Sequence, residues 1–86
     1  MPVTTHPELL DRITVREGVL GGKPIIRDMR IAVEHVLAML AAGDSAETIL
    51  EEYPVLERED IQACLLFAHR SMAGEDVHER VPVHES

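Results

Sequence analysis

The run from Gly21 to Val33, Gly-Gly-Lys-Pro-Ile-Ile-Arg-Asp-Met-Arg-Ile-Ala-Val, constrains this chain more than any other. Two glycines, a proline and three cations fall within residues 21–30, and Ile31 then leads straight into a helical pattern. Ordering adjacent glycines costs backbone entropy. In a chain of 86 residues such a segment is a structural hinge and a candidate functional surface rather than a linker.

The residues around it define short extended pieces. Ile13-Thr14-Val15 is β-branched throughout and reads as a strand. Glu17 to Gly22 is glycine-rich loop, and Pro24-Ile25-Ile26 is a second extended piece whose proline suits a strand start or an edge. Arg27-Asp28 reads as a tight turn, because Asp tolerates left-handed backbone. Arg30-Ile31 then makes a third brief extended piece. Residues 12–31 are thus expected to form a small irregular β clasp, preceded by a loosely ordered N-terminus over residues 1–11.

Beyond the clasp the apolar spacing turns helical. Val33, Val36, Leu37, Leu40 and Ala41 follow the i, i+3, i+4, i+7, i+8 template and predict a helix over 32–42, stopped by Gly43. A second helix is expected over 45–52, capped by Asp44 with Glu47 as its capping-box partner, burying Ile49 and Leu50 and ended by Pro54. A third is expected over 58–73, with Ile61, Cys64, Leu65, Ala68 and Met72 on one face and acids crowding its first turn. Residues 74–86 read as a flexible acidic tail. The fold class is mainly α: three helices preceded by the β clasp, in one domain over 12–73. The short connection between the second and third helices has helix-turn-helix geometry in outline.

Composition narrows the function. Tyr53 and Phe67 are the only aromatics, and branched aliphatics dominate the 45% apolar content, which suits helix-on-helix packing in a small domain that gains core by dimerising. Five cations against four acids in residues 1–31 give the N-terminal third a charge of +1, while residues 32–86 carry −9. An acidic helical half is a poor surface for phosphate. The longest apolar run, Val36 to Ala42, is far too short to span a membrane, and the N-terminus has no signal-peptide pattern, so a cytoplasmic protein is expected.

No nucleophile-base pair or paired carboxylates stand out, so a non-enzymatic protein is expected, with no catalytic residues and no cofactor. Cys64 has no second cysteine, and His6, His35, His69, His78 and His84 are scattered, so no metal site is expected. Gly21-Gly22-Lys23 lacks the spacing of a phosphate loop. The acids of the third helix move any nucleic-acid contact onto the clasp, where Arg16, Lys23, Arg27 and Arg30 are the candidate residues; the alternative is that these cations pair with the protein's own acids. Leu66 and Phe67 fall on the flanks or back of the third helix, and mark a partner or dimer interface unless the core wraps widely around it.

Ile13-Thr14, the run Gly21 to Arg27, Arg30-Ile31 and Val33 together resemble the signature of the domain-of-unknown-function 433 family, and Leu40-Ala41-Ala42-Gly43 and Glu51 to Ile61 extend the likeness over about residues 12–73. The resemblance implies a homeodomain-like helix-turn-helix bundle and an antitoxin-like role: binding and neutralising a PIN-like ribonuclease toxin and repressing its own operon by binding operator DNA, the homodimer being expected from composition. A stand-alone oligomeric interaction module, without nucleic-acid binding, is the alternative. The chain departs from the family pattern where Asp28-Met29 replaces Gly-Thr, where Ala32 replaces Pro, and where Glu57 stands in place of a capping Thr.

Overall fold

The computed structural model describes residues 7–73. Two short antiparallel strands, β1 (Ile13–Val15) and β2 (Pro24–Ile26), precede three helices, α1 (Val33–Ala41), α2 (Ala46–Glu52) and α3 (Arg58–Ala73). Ile13 pairs with Ile26 and Val15 with Pro24, so the proline stands at the start of its strand, as its missing N–H requires. The third extended piece expected at Arg30-Ile31 is reduced to one bridge, between Ile25 and Ala32.

The hinge between clasp and helices is a tight turn. Met29 N–H donates to the Ile26 carbonyl at 2.7 Å, and Arg27 and Asp28 both take positive φ, +45° and +62°. Positive φ at both central residues is the signature of a type I′ turn. Met29, apolar where the family pattern has a small polar residue, packs half-buried against the core.

That core is Ile26, Val33, Val36, Ile49, Leu56, Ile61 and Cys64, drawn from β2, all three helices and the α2–α3 connection. Ile25, Ile26, Val36, Ile49 and Cys64 are fully buried. Burial of an isoleucine is worth about 2 kcal/mol, so Ile26 and Ile49 are what hold the clasp and α2 against the other helices. Burial also raises the Cys64 thiol to about 12, with Asp60 pushing the same way. The native thiol is therefore expected to be inert to a thiol-specific reagent at pH 8 and to react fully once the chain is unfolded in urea; rapid labelling of folded protein would contradict its burial.

The helix ends differ in detail from expectation. Ala32 and Ala42 are caps of α1 rather than helical residues, and Gly43 follows at φ +101°, a backbone state that favours glycine. Asp44 is not the cap of α2. Ser45 takes that place, accepting the Thr48 N–H at 3.1 Å, an interaction worth about 1 kcal/mol. Within the expected N-terminal segment, Pro7–Arg12 forms a 3-10 helix that packs on α3. The expectations for residues 1–6 and for the tail over 74–86 lie outside the described residues.

The inner face of α3 also differs. Asp60, Ile61, Ala63 and Cys64 are buried, while Leu65 and Met72, expected on that face, are 49% and 61% exposed. Phe67 turns inward and packs half-buried against the core. The helix is rotated toward the side on which Asp60 is held.

Candidate functional site

Asp60 is the charged side chain with no solvent exposure among the described residues. It stands at the third position of α3, with Glu57 just before the helix. From there its carboxylate reaches back to accept the Glu57 N–H at 2.8 Å, which is the helix-side half of a capping box. Glu57 does not complete the box. Its own carboxylate turns away to Arg12 at 2.7 Å.

Two arginines from the N-terminal third complete the site. Arg27 donates from Nη2 to Asp60 Oδ2 at 2.7 Å and from Nε to Oδ1 at 3.0 Å. The same Nη2 also donates to the Val55 carbonyl at 2.9 Å. Arg12, at the end of the 3-10 helix, donates from Nη1 to Asp60 Oδ1 at 2.9 Å. The two-point fit of Arg27 is the geometry that a planar guanidinium supplies and an ammonium does not.

The left-handed backbone at Arg27 belongs to this site. The turn lies against the start of the chain, for the Arg27 N–H donates to the Arg12 carbonyl at 2.7 Å. One carboxylate thus ties the turn, the 3-10 helix, the α2–α3 connection and the first turn of α3. Burial pushes the Asp60 carboxyl up, but Arg27, the Glu57 N–H and Arg12 outweigh it and hold the group below its ordinary value. The carboxylates in turn raise both arginines. A carboxylate with both oxygens occupied, flanked by cations that keep their protons, is poorly suited to acid–base chemistry and well suited to fixing a joint.

The four cations expected to contact nucleic acid have different fates. Arg16 pairs with Asp28 through Nε at 2.7 Å and Nη2 at 3.0 Å, and Arg16, then Thr14, hold Asp28 below its usual value. Lys23 pairs with Glu34 at 2.6 Å. Arg27 is committed to Asp60. Arg30 is exposed and has no hydrogen-bond or ion-pair partner among the described residues. Leu66 is half-buried on α3, about 100° round the helix from Phe67.

Sequence reasoning missed Arg12 and Asp60. The one local sign was an acid three residues after Glu57 at a helix start, where a back-reaching cap belongs. Elsewhere, His35 Nε2 lies 2.9 Å from the Tyr53 hydroxyl, with the rings edge to face, and this links α1 to the end of α2. Among the described residues no three His, Cys, Asp or Glu side chains come together as a group that could hold a metal ion. No described helix is long and apolar enough to cross a membrane.

Three comparisons bear on this arrangement. A family model described as "Protein of unknown function (DUF433)" matches residues 13–68. The uncharacterized protein y4eO of Sinorhizobium fredii is 39% identical over 56 residues, which are 65% of this chain and 25% of that protein. The crystal structure of a DUF433 member protein from Anabaena variabilis superimposes with a TM-score of 0.70 at 30% identity, covering 78% of this chain and 66% of the other. The chain therefore spans a quarter of the length of the curated relative it matches and about two thirds of the solved one.

Proposed function

The chain belongs to the DUF433 family, and from that premise we propose that it is a non-enzymatic antitoxin-like protein that binds a small PIN-like ribonuclease and blocks its RNA-binding cleft. The observation that carries the reading is the internal neutralisation of Arg16, Lys23 and Arg27. With these cations committed, what remains on the surface is mostly negative: the whole chain carries −8, and Glu51 and Glu52 of α2 are exposed. A nuclease cleft that holds RNA is basic, and an acidic surface is its electrostatic complement.

The test is to mix the full chain with the product of the neighbouring gene. A stoichiometric complex that weakens with salt, together with loss of RNA cleavage, is the expected result. No complex and undiminished cleavage would overturn the reading.

A second role, repression of its own operon, rests on Arg30, the clasp cation left exposed and unpaired among the described residues. The α2–α3 pair is the one the sequence reads as a helix-turn-helix, but Glu57 and Glu59 at the start of α3 oppose its entry into a groove. Arg30→Ala is then expected to weaken a gel shift on the upstream DNA and to reduce its salt slope by about one ion. An unchanged shift would remove the clasp as a reader.

A further inference from the structure

α3 carries apolar residues on two faces. The inner one belongs to the core already described. At roughly 100° per residue, Gln62, Leu65, Leu66, His69, Met72 and Ala73 form a second stripe on the outward side. Their spacing, i, i+3, i+4, i+7, i+10, i+11, is that of a helix face packed on another helix. Leu65 and Met72 are 49% and 61% exposed, and Leu66 is half-buried.

Charge determines which helix fits there. Glu59 and Arg70 are exposed on the same edge of this stripe, toward opposite ends of α3, and neither has a partner among the described residues. When two copies of one helix pack antiparallel, side chains on the same edge face each other across the seam. Glu59 of each copy then meets Arg70 of the other, about a two-fold axis near Leu65 and Leu66, and the helix dipoles oppose. In a parallel pair the same edge of the two copies falls on opposite sides of the seam, and Glu59 and Arg70 do not meet.

We propose that the protein is a homodimer formed by antiparallel packing of α3 on α3 of a second copy, with Leu65 and Leu66 at the axis, Met72 and Ala73 toward the ends, and two symmetric Glu59–Arg70 pairs along the edge. Phe67 takes no part, since it belongs to its own core. In this dimer the outward face of α3 is covered, so DNA could be reached only through the clasp. The dimer does not depend on the antitoxin reading.

Sedimentation equilibrium on the full chain tests it. The expected mass is twice that of one chain at micromolar concentration. Leu65→Glu should be monomeric with an unchanged far-ultraviolet circular dichroism spectrum. Glu59→Arg and Arg70→Glu should each raise the dissociation constant about tenfold, and the double exchange should bring it back to within about threefold of the parent. A wild-type chain that stays monomeric would assign the stripe to residues 74–86 or to a different protein and overturn the proposal. A Leu65→Glu variant that stays dimeric, or a double exchange that recovers nothing, would overturn it as well.

Discussion

Asp60→Ala is expected to lower the unfolding free energy by about 3 kcal/mol at pH 7, seen as a fall in the urea midpoint with little change in slope. Asp60 has no solvent exposure and accepts from Arg27, Arg12 and the Glu57 N–H. Removing it leaves two guanidinium groups side by side and an uncapped N–H at the start of α3. The Arg12 and Arg27 side chains keep 28% and 35% of their exposure, so both cations can turn toward water. That relief places the loss at the lower end of what breaking a buried ion pair costs. Against a total stability of about 5–15 kcal/mol for a domain, the loss is large. Arg16→Ala, which removes an exposed partner of Asp28, should leave the midpoint unchanged within error. Equal midpoints for Asp60→Ala and the parent would mean that the carboxylate does not hold the joint.

The same group sets the acid limb of stability. Its native carboxyl is held below the ordinary value, so between the native and unfolded values the unfolded chain binds the proton and the native chain does not. Its contribution is complete above about pH 4, the unfolded aspartate range, and is lost as the pH falls through the native value. Asp60→Asn should therefore flatten the fall of stability below pH 4 and leave little pH dependence between 5 and 7 from this source. Asp28 and Glu47 retain part of the limb. Arg16 holds the first below its ordinary value; the second is held down by its own backbone N–H and then by Arg58.

The local architecture was legible because it is encoded over short spans. β-branched Ile13-Thr14-Val15, the 3.6-residue spacing from Val33 to Ala41 and the stop at Gly43 each depend on neighbours a few residues away. Asp28 in a left-handed turn was readable for the same reason. The cap of α2 was misplaced by one residue, since Asp44 and Ser45 are both good caps and only backbone geometry chooses between them. The joint itself was not legible. Arg27 and Arg12 meet Asp60 across 33 and 48 residues, and a cation does not announce its distant partner. The inner face of α3 was misread for a linked reason. With apolar residues on two sides, periodicity alone leaves the rotation open, and a buried aspartate on the inner side is the clue that hydrophobic patterning discards.

Arg27→Met should cost about 3 kcal/mol, and combining it with Asp60→Leu should cost about 2 kcal/mol less than the two single changes added together. Methionine keeps the packed stem of Arg27 and removes its head. Asp60 is then a buried carboxylate held by Arg12 and one backbone N–H, and the Val55 carbonyl loses its donor. Replacing the carboxylate as well removes the stranded charge and puts apolar atoms in its place, which is why the pair of changes is milder than their sum. Urea unfolding of the four proteins measures the coupling, and simple additivity would show that Arg27 and Asp60 do not act as a unit. The outcome also decides how clasp variants can be read in binding experiments. If Arg27 holds the turn to α3, losing DNA or protein binding in an Arg27 variant reports a loosened clasp rather than a lost contact. Arg30, exposed and unpaired among the described residues, is the clasp cation whose removal leaves the joint intact. A binding defect in Arg30→Ala with an unchanged urea midpoint would therefore belong to the surface, and the same defect in Arg27→Met would belong to the fold.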